Sequence, residues 1–220
     1  MIRKNCIACN NISLPIFEKS KVQYYQCGFC ETVFSNPVPN DNMVGGGMEV
    51  ERNTLQNIDR IKRFYKLCPS IIDGVPVLDY GCGHGMLVED MKKQGIDCDG
   101  YDLYNPEYNV FKQGRTYGLV CLVETLEHFG EPFGELGLIY QSLAEGGICY
   151  IETGFVNIPE QDGIRLEDYF YIDASVGHSS IFSHLGLDIF MLRRGFRPLK
   201  HINRTVRVYQ KVYQWKEKFL

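Results

Sequence analysis

The chain has 220 residues, 45% of them hydrophobic and 23% charged, with a formal net charge of −4. That length suits one medium domain plus a small appendage, and the acidic balance makes a nucleic-acid partner unlikely, since such a face is usually basic. No run approaches the roughly 18 apolar residues that span a bilayer, and Met1 to Cys6 lacks a signal-peptide core. A cytoplasmic protein with no membrane contact is therefore expected. Its nine cysteines are then thiols or metal ligands rather than a disulfide framework.

The first element is Cys6-x2-Cys9-x17-Cys27-x2-Cys30. Each C-x-x-C pair places two thiolates on one tight knuckle. Two knuckles joined by a hairpin give four sulfurs in a tetrahedral array. That array suits Zn(II), and four protein ligands leave no open position, so the site is structural. Ile12, Leu14, Ile16, Phe17, Val22, Tyr24 and Tyr25 supply the hairpin. So short a piece cannot fold on its own core; metal binding, worth about 10–16 kcal/mol in zinc peptides, supplies the difference. Iron in a rubredoxin-like arrangement is the alternative, and a redox dithiol a weaker one. Residues 1–36 thus read as a zinc-binding ribbon. The five remaining cysteines, Cys68, Cys82, Cys98, Cys121 and Cys149, sit singly among apolar residues and read as buried small hydrophobes.

Residues 35–47 are rich in Pro, Asn and Gly, as a linker is. From Glu49 to Leu67 apolar residues recur at helical intervals. Residues 37–69 read as a linker and a lid-like helix hinged at Gly45-Gly46-Gly47. Strands and helices then alternate. Strands are expected at Val75–Asp79, Ile96–Asp102, Tyr117–Glu124 and Ile148–Glu152, and helices at Gly85–Gln94, Phe133–Ala144 and Leu185–Arg194. Phe196–Ile202 and Thr205–Val212 look like a closing antiparallel pair. This pattern predicts an α/β, Rossmann-like, doubly wound and mostly parallel sheet over residues 70–220.

The most informative segment is Val77-Leu78-Asp79-Tyr80-Gly81-Cys82-Gly83-His84-Gly85. A strand runs into a glycine-rich turn that opens a helix. Ligands of open α/β sheets bind at the carboxyl ends of strands, and a helix N-terminus offers N–H groups to an anion. The spacing G-x-G-x-G is not the dinucleotide G-x-G-x-x-G. Asp79 beside a pyrophosphate would repel it, whereas beside an ammonium it would attract. The second strand ends in Gly100-Tyr101-Asp102, where a carboxylate can accept from two ribose hydroxyls.

These residues resemble class I S-adenosylmethionine-dependent methyltransferases of the bacterial small-molecule type. The likeness is carried by Val77 to Gly85, Gly100-Tyr101-Asp102, Glu124-Thr125-Leu126-Glu127-His128-Phe129, the Gly146-Gly147 turn, and Gly177-His178-Ser179-Ser180-Ile181-Phe182-Ser183. It covers roughly residues 70–212. It implies S-adenosylmethionine as cofactor, held by Asp79, Gly81, Cys82, Gly83, Gly85, Asp102, Leu103 and Glu124. One departure is that Leu103 to Thr116 is too short for the helix and third strand of the usual family layout, so the adenine side is abbreviated. An N-terminal four-cysteine module also looks like an arrangement seen in sugar C-methyltransferases.

Methyl transfer from a sulfonium needs positioning and water exclusion, and a base only where the acceptor must lose a proton. His128, His178 and Glu124 are the catalytic candidates, with a capped or hydrogen-bonded structural role as the plainer reading of each histidine. The mixed segment Glu167 to Asp173 reads as a wall of the acceptor pocket. The partner expected is a small-molecule acceptor such as a sugar or other metabolite. A non-catalytic cofactor- or partner-binding protein, a nicotinamide-dependent oxidoreductase and a nucleic-acid methyltransferase are the competing readings.

Overall fold

The computed structural model describes residues 3–36, 50–129 and 132–212. Its larger sheet contains β5 (Val77–Tyr80), β6 (Cys98–Tyr101), β7 (Tyr117–Val123), β8 (Leu143–Glu152), β10 (Phe196–His201) and β11 (Val206–Lys211). The spatial order is β10-β11-β8-β7-β5-β6. β5 runs parallel to β6 and β7, and β7 parallel to β8. β11 returns antiparallel to β8 and β10 antiparallel to β11. β5 and most of β7 are buried on both faces, as the continuous apolar runs of parallel strands require. The strand order reverses at β5, and ligands of open α/β sheets bind at the carboxyl ends of the strands at such a point.

Side chains alternate across this sheet, and each face has its own cover. Val77, Leu119, Cys121, Ile148 and Tyr150 meet α1 (Val50–Leu67) and α2 (Met86–Lys93) through Ile61, Phe64, Val88 and Met91. Leu78, Val120, Leu122, Cys149 and Ile151 meet α3 (Pro132–Ser142) and α5 (His184–Leu192) through Leu136, Ile139, Leu187 and Phe190. The expected antiparallel pair is in place, with a register shift between Pro198 and Lys200. No strand or helix lies between Asp102 and Thr116. That edge is instead tied down by Lys112 and Arg115 on Asp99.

Most element bounds differ from the sequence reading by one or two residues, as in β5, which is Val77–Tyr80 rather than Val75–Asp79, and the start of β8 differs by five. α3 ends at Ser142, and β8 starts at Leu143 rather than Ile148, because Leu143 already pairs with Tyr117. The register then shifts before Leu119, which accommodates the Gly146-Gly147 turn within the strand. Of the lone cysteines, Cys68, Cys98, Cys121 and Cys149 are buried, while Cys82 in the glycine loop is half-buried.

The smaller sheet starts from the ribbon: β1 (Lys4–Asn5), β2 (Ile12–Lys19), β3 (Val22–Cys27) and β4 (Val33–Ser35). Its fifth strand, β9 (Ser180–Ile181), comes from far along the chain. Val33 pairs with Ile181 and Phe34 with Ser180. Ribbon side chains Cys6, Ala8, Tyr24, Cys27, Cys30 and Val33 therefore join the core of the α/β part. Between β8 and β9 lie α4 (Asn157–Gln161) and two 3-10 turns.

Over its C-terminal half α1 is held by packing and by charge. Phe64 meets Tyr150 edge-on at 5.0 Å. Arg60 forms a two-pronged ion pair with Glu152 at 2.8 and 3.2 Å, and Arg63 donates to the Tyr150 hydroxyl at 3.0 Å. The hinge glycines 45–47 lie outside the described residues. Removing one partner of a buried ion pair costs about 3–5 kcal/mol, and the low end applies here because Glu152 keeps Arg63 at 3.6 Å and the Tyr150 hydroxyl at 2.7 Å. We expect Arg60→Met to lower the unfolding free energy by about 3 kcal/mol in denaturant melts, and an added Glu152→Gln to restore part of the loss. A loss under about 1 kcal/mol would show that the pair does not anchor α1.

Candidate functional site

Local geometry explains the glycine loop first. Gly81, Gly83 and Gly85 all have φ in the left-handed region, at 81°, 54° and 75°, where a Cβ is strained. A Cβ at Gly81 would also fall 2.2 Å from the Thr125 side chain, and one at Gly85 2.2 Å from the Tyr108 hydroxyl. The loop is thus pressed between the turn after β7 and the segment after β6. His84 at its tip is exposed.

Asp79 is buried at the carboxyl end of β5. Its neighbour is the Cys121 thiol, 3.5 Å away. Burial pushes its carboxyl up to about 7, against the downward pull of Cys121 and of the Arg60 charge. Asp102 is also buried, but it is well supplied with donors. It accepts from Gly83 N at 2.8 Å, Tyr104 N at 2.9 Å and Asn105 N at 3.1 Å. A carboxylate has about four lone-pair positions, so the loop backbone takes most of them. Asn105 adds a bond to Gly83 O at 2.6 Å. Leu103 beside it is exposed. Tyr108, tied back by Asp102 N to Tyr108 O at 3.1 Å, covers both Gly85 and Gly100. It occupies the side where the third strand is absent.

A second group gathers after β7. Glu124 adopts φ 50°, in the left-handed region that is uncommon for residues other than glycine. Its N–H is held by Glu152 O at 2.8 Å. Burial, and then the Glu127 charge, push Glu124 up to about 8. Glu127 is fully buried and accepts from Thr153 Oγ1 at 2.8 Å and, through a short bond, from the Tyr171 hydroxyl. That hydroxyl also lies 3.0 Å from Glu124 Oε2. A protonated Glu124 can donate to the Tyr171 oxygen while Tyr171 donates to Glu127, so the two carboxyls share a proton through one phenol.

His178 and His128 complete this group, with ring centroids 4.8 Å apart. One ligand atom from each of Glu127, His128 and His178 lies within 4.8 Å of the others. His178 Nδ1 is 2.6 Å from Tyr171 O. A carbonyl only accepts, so Nδ1 carries the proton and the neutral ring keeps its lone pair on Nε2. The three catalytic candidates are thus brought together. Tyr171, from the segment expected to wall the acceptor pocket, and Glu127, to which the sequence reading gives no role of its own, link them. The three-residue spacing from Glu124 to Glu127 and the aromatic run at 169–171 were the available signals. Tyr108 had no signal at all, because no pattern marks a residue in a loop.

The cysteine cluster forms a third group. Cys6 Sγ lies 3.6 Å from Cys30 Sγ, and Cys9 Sγ 3.5 Å from Cys27 Sγ. All four sulfurs fall within 4.8 Å of one another. Tetrahedral bonds of about 2.3 Å to one zinc ion need sulfurs just under 4 Å apart, so the array fits. Backbone N–H groups of Ala8, Phe29 and Cys30 point at Cys6 or Cys27 sulfurs at 3.4–3.5 Å, as charged thiolates require. Among the described residues all nine cysteines are free of disulfides.

A family model described as a methyltransferase domain matches residues 50–201. The chain belongs to this methyltransferase family, in its class I, S-adenosylmethionine-dependent form. Among curated proteins, a ubiquinone biosynthesis O-methyltransferase of Aliivibrio fischeri is 28% identical over 103 residues, which is 36% of this chain and 44% of that protein. One from Photorhabdus laumondii is 28% identical over 130 residues, 48% of this chain and 54% of that one. The chain thus spans about half the length of these relatives or less. Among solved structures, the plantazolicin methyltransferase BpumL in complex with SAH superposes with a TM-score of 0.54 at 12% identity, covering 74% of this chain and 89% of that one. CalS10, an amino pentose methyltransferase from Micromonospora echinaspora, gives 0.51 at 16% identity, covering 76% and 99%. These two likenesses establish the fold. No helix among the described residues is long and apolar enough to cross a membrane.

The sulfur geometry carries its own test. Cobalt(II) added to the metal-stripped chain is expected to bind one ion per chain and give the visible spectrum of a tetrahedral thiolate site. Cys9→Ser should lose or shift that spectrum. A pink octahedral spectrum in the unmutated chain would contradict the four-sulfur site.

Proposed function

We propose that this protein transfers a methyl group from S-adenosylmethionine to a small-molecule acceptor, with a hydroxyl as the group methylated. The observation that carries this reading is the pairing of two arrays on one sheet edge. Asp79 and the glycine loop form the first, and Glu124, Glu127, Tyr171 and His178 the second. The O-methyltransferase names of the sequence relatives favour oxygen as the acceptor atom.

When bound, S-adenosylmethionine supplies a methyl group already activated on a sulfonium sulfur. Asp79 lies where it can meet an ammonium, and the amides of residues 81–85 can meet a carboxylate. Asp102 shapes this loop through its backbone bonds and keeps about one acceptor position for a ribose hydroxyl. Tyr108 stands in for the missing strand as the wall of the adenine side. His178 Nε2 takes the proton of the acceptor hydroxyl, and the Nδ1 bond to Tyr171 O holds the ring in the basic tautomer. Glu127, through Tyr171, places negative charge near the imidazolium that forms. Glu124, carrying a proton near neutral pH, limits the repulsion between the two carboxyls. Zinc is the ion we assign to the four cysteines, since four thiolates in a closed tetrahedron suit it.

The raised Asp79 carboxyl gives the cofactor site a pH signature. Without ligand, Asp79 holds its proton below about pH 7. An ammonium needs the ionised form, so binding strengthens as pH rises through 7. Calorimetric titration with S-adenosylhomocysteine should show affinity about tenfold weaker at pH 6 than at pH 8. Asp79→Asn should flatten that slope and weaken binding at pH 8 by about tenfold, or 1.4 kcal/mol. No binding by the folded, metal-loaded chain would sink the reading. Binding that ignores both pH and Asp79→Asn would remove Asp79 from the site.

A further inference from the structure

We propose that the cysteine ribbon is a positioning device for His178, so that metal binding at the N-terminus orders the acceptor half of the site. The base role of His178 rests on the function proposed above. The ribbon's hold on it rests on contacts alone.

The strand that follows His178 is clamped from two sides. On the inner side Ser179 N donates to Glu127 O at 2.9 Å, and Ser180 Oγ to Phe129 O at 3.0 Å. These bonds fix it to the turn carrying Glu124, Glu127 and His128. Val156 N adds a bond to Phe182 O at 3.1 Å, and on the outer side the ribbon supplies the partners. Ser35 N donates to Ser179 O at 2.8 Å, and β4 pairs with β9 through Val33–Ile181 and Phe34–Ser180. The Tyr24 hydroxyl reaches His178 O at 3.5 Å.

The ribbon contacts continue directly from the metal knuckle. Ser183 Oγ donates to Cys30 O in a short bond, and Ser183 N to Thr32 Oγ1 at 3.4 Å. The same Ser183 Oγ caps α5 by accepting from Gly186 N at 2.7 Å. A Cβ at Gly186 would lie 1.9 Å from Thr32 Oγ1 and 3.3 Å from Cys30 Sγ, so α5 seats against the knuckle with no room for a side chain. Thr32 and Ser183 are both fully or almost fully buried. Further along, Lys19 Nζ holds Tyr169 O at 3.1 Å and Ser20 Oγ holds Asp173 Oδ1 at 3.2 Å. The ribbon therefore grips both ends of the segment that carries Tyr171 and His178.

The metal is what holds the two cysteine knuckles to each other, and binding it is coupled to the ordering of the ribbon. Without it, β9 becomes a two-residue edge strand with no partner on one side, and a pairing that short has little stability of its own. The glycine loop is bonded to Asp102 and packed between Thr125 and Tyr108 instead, and none of those contacts involves a ribbon residue. Metal loss should thus disorder the acceptor side and spare the cofactor side. Thr32 acts as a positioning residue.

The test uses the full chain, metal-loaded and metal-stripped, with Thr32→Val and Thr32→Ser in the loaded form. Two readouts are followed: hydrogen exchange over residues 179–183, and the imidazole Nδ1 proton of His178 in nitrogen-15 spectra, assigned by its absence in His178→Gln. Stripping should speed exchange over 179–183 at least tenfold and erase the Nδ1 signal, while S-adenosylhomocysteine affinity stays within twofold. Loaded Thr32→Val should broaden the Nδ1 signal, and Thr32→Ser should retain it. Unchanged protection and an unchanged Nδ1 signal on stripping would overturn the proposal. If stripping unfolds the whole chain, Thr32→Val decides, and an unaltered His178 signal there overturns it. If the loaded chain fails to bind S-adenosylhomocysteine, the cofactor assignment falls, and the exchange and imidazole results still judge the ribbon.

Discussion

The placement of β5 between β6 and β7 is the constraint from which the site follows. All three strands run parallel, and their register sets Asp79 opposite both Gly100 and Cys121. Parallel strands end together, so the acids at or just past their ends gather on one edge. Apolar side chains on both faces lock this register, because a one-residue slip would turn each buried residue to the wrong face. The acids are thereby carried into poorly hydrated positions that they would not choose. Each meets the cost differently. Asp102 accepts three backbone N–H groups, and Glu152 binds Arg60. Asp79 and Glu124 have weaker partners and hold their protons towards neutral pH. Such poorly compensated groups are what makes this edge the candidate site.

The two halves of the edge differ in how they are held. The half we propose for the cofactor is made of short-range structure: three glycines in left-handed geometry, an acid nineteen positions further on, and the loop between. The half we propose for the acceptor is made of long-range structure. Tyr171 reaches across to Glu124 and Glu127, and β9 lies between a ribbon strand and the turn after β7. Long-range assemblies of this kind depend on every layer being present. The ribbon is such a layer, sharing its core with α5 rather than hanging from the fold as a separate bead.

That difference also governs what could be read in advance. The Val77–Gly85 turn and the Cys6–Cys30 spacing are local patterns whose residue types follow directly from turn geometry and metal coordination. β5, β7 and the second half of β8 were legible as short apolar runs, and β6 from its place in the alternation of strands with helices. β9 was not, since two residues carry no periodicity and its partner lies about 150 positions away. The early start of β8 was hidden by Gly146-Gly147, which reads as a turn between elements but sits inside the strand. Arg60 was hidden in an ordinary amphipathic helix, where nothing marks one charge as buried. The shortness of 103–116 did announce a missing strand, and it could not say that Tyr108 would fold back over the glycines.

The central claim is that the edge formed by β5, β6 and the turn after β7 receives S-adenosylmethionine. Hydrogen exchange with and without saturating S-adenosylhomocysteine tests it most directly. Slowed exchange in residues 80–86 and 102–108, with the outer strands β10 and β11 unchanged, is the result predicted. A saturating ligand that leaves both segments unaltered, or protects only the ribbon, would contradict the account.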